Sequence, residues 1–263
     1  MGRSLIGGLI KNGFPPDQIC GADIDPTQRE LTVTRFGIEV LDNNVTAIKD
    51  TDVIILGVKP QMVKTTLIPL REILAESNPL LLSIAAGIRL DDLERWSIEK
   101  LAIVRIMPNT PALVSTGAAA LCANKYVGAS QRDITESIMR SVGITIWVDD
   151  ENLMDVVTAL SGSGPAYFFY FMEIMEKTGV ELGLTKEQSR LLTLQTALGA
   201  AKMALESNDD SGILRKQVTS PGGTTEQAIE IMQKNKLNEI LSKAIRAAFK
   251  RSQELAKLLG KEE

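Results

Sequence analysis

Thr51-Asp52-Val53-Ile54-Ile55-Leu56-Gly57-Val58-Lys59-Pro60-Gln61 decides the reading of the fold. It is a strongly apolar run rich in β-branched residues, it stops at a glycine and a proline, and a helical pattern follows it. Strand-like runs of this kind recur on both sides of it, at Gln18–Asp23, Ile38–Leu41, Leu80–Ala85, Ala102–Met107, Ala118–Ala123 and Thr145–Val148, with helical patterns between them. That alternation is the order expected of a parallel sheet flanked by helices. The punctuation agrees: Asp25-Pro26 offers an N-cap and a proline at the first helical position, and Gly37 closes the helix. After residue 150 the alternation gives way to long amphipathic segments, Pro165–Leu182, Thr185–Asn208, Thr224–Lys234 and Leu237–Leu259, with a capping box at Thr185–Gln188. The expectation is α/β plus all-α: a Rossmann-like domain over 1–150 and a helical domain over 151–263, joined at a short acidic turn near Asp149–Asn152.

Composition narrows the chemistry. The 263 residues contain no histidine, the side chain most used for proton transfer near neutral pH, so serine–histidine triads and the usual zinc sites are excluded and no metal is expected. Hydroxyls, backbone amides, carboxylates, lysines or a cofactor must do the work. A net charge of -4, with both signs scattered, gives no electrostatic reason to expect nucleic acid or an anionic membrane as partner. No apolar run suits a membrane span, and MGRSLIGGLIKNGF is too short and Gly-rich for a secretory signal, so the default location is cytoplasmic. Cys20 and Cys122 lie far apart in strand-like runs and read as reduced, buried and structural.

Several stretches are candidates for chemistry. Gly2 with Ser4–Ile10 looks like the tail of a dinucleotide fingerprint opening into a helix, although the strand and earlier glycines that such a fingerprint needs are missing. Either the chain starts at an internal methionine of a longer product, the reading favoured here, or Gly2 is a small residue at a ragged terminus. Asp23 ends the run that follows, where a carboxylate commonly accepts hydrogen bonds from the adenosine ribose; the alternative is a turn acid. No arginine directly follows Asp23, which leans toward NAD over NADP, while Arg29 could reach a 2′-phosphate from the next helix. Val58–Gln61 and Ser83–Gly87 stand beyond strand ends, where open α/β sheets bind ligands. In Arg105–Pro111 two prolines fix the backbone where another strand ends, which suits a pocket wall. Ser220-Pro221-Gly222-Gly223-Thr224-Thr225, just before a helix, reads as a nest of amides for an anion such as a substrate carboxylate, or as a plain N-cap.

VKPQ at 58–61, SIAAG at 83–87, RIMPNTPA at 105–112, SGSGPAY at 161–167 and SPGGTT at 220–225, with GAAKM at 199–203, together resemble the pyrroline-5-carboxylate reductases in order and spacing. The resemblance spans nearly the whole chain and departs at the N-terminus, where the first strand is absent. It implies a helical domain that interlocks with a partner's to form a homodimer, in this family sometimes assembled into rings of dimers, with the substrate loop coming from the opposite subunit. It also implies reduction of 1-pyrroline-5-carboxylate to L-proline with NADPH or NADH. Carried over by position, Gly2, Asn44, Val58, Lys59, Pro60, Ala85, Ala86 and Gly87 line the cofactor site, with Met107, Pro108 and Asn109 near the nicotinamide. Ser220, Gly223, Thr224 and Thr225 hold the substrate, and Thr225 is the candidate for hydrogen bonding to the ring nitrogen and for proton delivery. Two other readings compete. One is a hydroxyacid dehydrogenase or another imine reductase, against which Lys177 and Lys202 read as helix surface. The other is a non-catalytic dinucleotide-binding or assembly protein.

Overall fold

A computed structural model describes residues 1–260; residues 261–263 of the expected helical domain lie outside them. In chain order the elements are α1 (Gly2–Lys11), β1 (Cys20–Ala22), α2 (Pro26–Phe36), β2 (Glu39–Leu41), α3 (Asn44–Ala47), β3 (Val53–Leu56), α4 (Val63–Leu67), α5 (Arg71–Ser77), β4 (Leu80–Ser83) and α6 (Leu90–Trp96). There follow β5 (Ile103–Met107), β6 (Gly117–Ala123), α7 (Ala129–Arg140), β7 (Gly143–Trp147), α8 (Leu153–Val157), a π-helical turn at Thr158–Gly162, α9 (Gly164–Glu181), α10 (Lys186–Glu206), α11 (Ser211–Gln217), α12 (Thr224–Lys234) and α13 (Leu237–Leu259).

All seven expected strands form, in two sheets: a parallel pair β1–β2, and a five-stranded sheet of order β3-β4-β5-β6-β7. The expectation of a purely parallel sheet needs correction, because β6 runs antiparallel to β5. Only the short proline-containing stretch 108–116 joins the two strands, too little chain for a crossover helix. From β6, α7 supplies such a crossover and β7 returns parallel.

The period-2 alternation of the strands sorts the core into two layers. Leu81, Ile103, Ala120 and Cys122 face one layer with Val63, Leu67, Leu74, Leu93, Trp96 and Met154. Leu80, Leu82, Val104, Ile106 and Leu121 face the other with Leu5, Met139 and Val142. Central β4 is buried at every residue, as a strand covered by helices on both faces must be.

The caps read from sequence are present. Asp25 Oδ1 accepts from the Thr27 amide at 2.9 Å, Gly37 adopts φ 66°, and Thr185 and Gln188 satisfy each other's amides at 3.0 and 3.2 Å.

Met1–Ser163 with the segment from Ala248 onward forms one compact unit, and Gly164–Ala247 forms the other. These units do not coincide with the division expected at 150/151, since α8, the π turn and the end of α13 belong to the first. Among the described residues, no helix is long and apolar enough to cross a membrane.

Cys122 is buried as expected, but Cys20 is exposed, at the start of the short β1–β2 pair. Burial, then the Glu151 carboxylate, pushes the Cys122 thiol up to about 11. Ellman's reagent is therefore expected to modify one thiol of the native chain and two of the unfolded chain, with Cys20→Ser abolishing the native reaction; fast native modification of Cys122 would contradict the burial.

Candidate functional site

Strands β3, β4 and β5 are parallel, so their carboxyl ends share one edge of the sheet and bring together Gly57–Pro60, Ile84–Gly87 and Pro108–Asn109. Lys59 is exposed and Val58 and Pro60 are half-buried. Ala85 is buried against the core, and Ala86 is exposed beside it. Gly87 takes φ 79°, a left-handed turn conformation that disfavours any side chain.

On the two-stranded sheet, Asp23 and Asn44 follow the ends of β1 and β2. Asp23 Oδ1 accepts from the Asp25 amide at 2.9 Å, the bond of a turn acid. The Arg29 guanidinium donates to the carbonyls of Asp23 and Ile24 at 2.9 and 3.1 Å, so a cation from the next helix stands beside this turn although none directly follows Asp23. Gly2 is the exposed first residue of α1.

The RIMPN and SGSG stretches meet. Asn109 Nδ2 donates to Ser161 Oγ at 3.2 Å, while Asn109 Oδ1 accepts from the Ala118 amide at 2.9 Å. Both ends of that side chain thus hold the β5–β6 connection against the π turn. A Cβ placed on Gly162 would lie only 2.3 Å from Met107 Cε, so the absence of a side chain there is what lets Met107 occupy its place. Single π turns inside helical segments are common at functional sites. Sequence reasoning quoted SGSG without giving Ser161 or Gly162 a task; only the contact supplies one.

In the helical unit, Gly222 has φ 72° and Gly223 N–H donates to Ser220 O at 3.0 Å, closing a turn that leads into α12. The helix has no side-chain cap, which leaves first-turn amides at Thr224 and Thr225 without an intrahelical acceptor. Glu226 Oε2 accepts from Gly222 N–H at 2.6 Å, an occupant of the nest that the sequence did not suggest. The lysines weighed for acid–base work lie on helix surfaces: Lys177 is 2.6 Å from Glu173, whose hydrogen bond raises its pKa and keeps it charged, and Lys202 faces Glu206 at 3.7 Å.

The strand ends fit a dinucleotide. The Ser83 hydroxyl is buried without a hydrogen-bond partner, as is that of Ser4 in α1, and Lys59 enters no ion pair among the described residues. A cavity of about 670 Å³ between the end of α1 and α7 contains none of these residues. No group of acidic, cysteine or histidine residues able to hold a metal occurs among the described residues.

Residues 151–255 match the family model described as pyrroline-5-carboxylate reductase dimerisation, and residues 1–87 match the one described as NADP oxidoreductase, coenzyme F420-dependent. The chain is 47% identical over 260 residues to the pyrroline-5-carboxylate reductase of Pseudomonas aeruginosa, covering 99% of this chain and 95% of that protein. It is 40% identical over 259 residues to the Arabidopsis thaliana enzyme of the same name, covering 97% and 92%. Among solved structures, the pyrroline-5-carboxylate reductase of Coxiella burnetii superposes with a TM-score of 0.92 at 43% identity over 97% of this chain and 94% of that one. The pyrroline carboxylate reductase of Plasmodium falciparum, with NADP bound, gives 0.87 at 30% identity over 97% and 94%.

Gly162→Ala is expected to displace the Met107 side chain at a stability cost of about 1–3 kcal/mol, because the clashing atom is the free end of a flexible chain. Methyl NMR of Met107 should shift while the melting transition survives; unchanged resonances would show that the contact is not made.

Proposed function

Since the chain belongs to the pyrroline-5-carboxylate reductase family, and so reduces the carbon–nitrogen double bond of 1-pyrroline-5-carboxylate to L-proline with NADPH or NADH, we propose how its residues divide that work. The observation that carries the reading is the convergence of Lys59, Ala86 and the Met107–Asn109 wall on one sheet edge, in a chain similar over nearly its whole length to reductases of that name.

In this reading Gly2, Asp23, Asn44, Val58, Lys59, Pro60, Ala85, Ala86 and Gly87 hold the dinucleotide, and Met107, Pro108 and Asn109 wall the nicotinamide end. The reduced nicotinamide supplies the hydride when bound. Lys59 neutralises phosphate charge, and the small side chains of 85–87 permit close approach of a ribose or flat ring to backbone. The functional division follows the start of the dimerisation match at 151, with residues 151–263 forming the substrate and assembly domain.

The free amides at Thr224 and Thr225, with Ser220 and Gly223, take the substrate carboxylate. The Thr225 hydroxyl meets the ring nitrogen and handles its proton. A protonated cyclic imine is already an electrophile, so orientation matters more than strong general acid catalysis, and a chain without histidine suffices. Glu226 remains on Gly222 N–H as the acceptor that shapes the loop while the later amides bind. The working unit is a homodimer joined through the helical domain, the unit from which rings of dimers are built where this family forms them, and it is located in the cytoplasm.

The test is oxidation of NADH and, separately, NADPH by the purified chain, with and without pyrroline-5-carboxylate, and with proline measured as product. Substrate-dependent oxidation matched by proline is expected, and no turnover with either cofactor would refute the assignment. Thr225→Ala should lower kcat/KM by about tenfold, the loss expected for one hydrogen bond to a charged group. If turnover and substrate affinity both hold, Thr225 has no such role. Light scattering should give the mass of at least two chains.

A further inference from the structure

One cluster of buried polar groups is left over from this division of work, and it lies under the strand-end loops. Ser83, Arg105 and Cys122 are cross-strand neighbours on one face of β4, β5 and β6. Arg105 is 3% exposed, an arginine inside an otherwise apolar strand. Its Nη1 lies 2.7 Å from Glu151 Oε1, and the same oxygen accepts from the Leu90 amide at 2.8 Å, at the first residue of α6. Arg89, the preceding residue, reaches Asp155 Oδ2 at 3.3 Å and Asn152 Oδ1 at 3.3 Å. Asp155, 1% exposed, takes its remaining bond from Ser252 Oγ of α13 at 2.6 Å. The end of α13 then closes on the same loop: Leu259 Cδ1 is 3.2 Å from where a Gly87 Cβ would stand, and the Gly260 carbonyl accepts from Arg95 at 2.9 Å.

We infer that Glu151 is a positioning residue for the dinucleotide. With Arg105 behind it, and with Asp155 and Ser252 beside it, it holds the 84–90 loop in the shape that presents Ala85, Ala86 and Gly87 to the cofactor. The inference rests on the reductase reading above and adds a residue to it. Glu151 touches neither cofactor nor substrate in that reading; it acts through Leu90 N–H, and Asp155, four residues on, acts through Arg89. Ala85, Ile88 and Leu90 anchor the loop by burial in the core, and Glu151 adds a directional hydrogen bond at its Leu90 end, which apolar packing does not supply. A carboxylate is required because a buried guanidinium without its counter-charge is costly, and a neutral amide at 151 would hold both Arg105 and the Leu90 amide more weakly.

The test compares Glu151→Gln and Ser252→Ala with the unaltered chain by titration calorimetry with NADPH and NADH, by hydrogen exchange of the 84–90 amides, and by steady-state kinetics. Glu151→Gln is expected to weaken dinucleotide binding by 5- to 20-fold as an order of magnitude, that is about 1–1.8 kcal/mol. The 84–90 amides should exchange faster, while the KM for pyrroline-5-carboxylate and the kcat at saturating cofactor stay within about twofold. Ser252→Ala should show the same pattern more weakly. Unchanged cofactor affinity and unchanged loop exchange in Glu151→Gln, in a chain that still binds and turns over normally, would overturn the inference and leave the reductase reading standing. Equal losses in every parameter with a lowered melting point would overturn it in favour of a merely structural pair. Failure of the unaltered chain to bind either dinucleotide would overturn both.

Discussion

The burial of β4 on both faces governs how the rest of the first unit is arranged. Leu80, Leu81, Leu82 and Ser83 are all shielded from water, which requires helices on each side of the sheet, and the strand has parallel neighbours on both edges. Parallel neighbours in turn require crossover helices, and every crossover leaves a strand-end loop at the same edge. The candidate site is a consequence of that packing: Lys59, Ala86 and Asn109 share one edge because three parallel strands end together.

Where parallel order lapses, the structure uses the exception. The 108–116 connection is too short for a crossover, so β6 turns back against β5, and Asn109 is free to brace the turn with one end of its side chain and the π helical residue Ser161 with the other. Met107 then packs onto Gly162, where no side chain intervenes. Two stretches more than 50 residues apart in sequence thereby become one wall. Asn109 is thus committed to hydrogen bonds within the protein, and its contribution is to hold backbone in place beside Met107.

A protein without histidine that reduces an already electrophilic imine needs placement more than proton transfer, and its polar groups are spent accordingly. Buried charge sits beneath the loops, in the Arg105–Glu151 and Arg89–Asp155 pairs, with side chains 3% and 19% exposed in the first and 30% and 1% in the second. Such pairs are weak evidence of stabilisation but effective at fixing one geometry, since every oxygen and guanidinium nitrogen used has a defined direction.

By itself the sequence determined the seven strands, the helical second half, the caps at Asp25, Gly37 and Thr185, and the motifs whose order carries the family. All of these depend on local periodicity, turn chemistry or the absence of a residue type, which are properties of neighbours along the chain. Tertiary structure alone decided the antiparallel β6, the exposure of Cys20, the placement of Arg29 beside Asp23, the Glu226 carboxylate on the Gly222 amide, and the grouping of Glu151, Asp155 and Ser252 under the 84–90 loop. Strand direction, exposure and the partner that a polar group finds are set by how sheets and helices close in space. An arginine inside IVRIM announces in sequence that something must neutralise it; that the neutralising group is Glu151, 46 residues on, follows only from the fold.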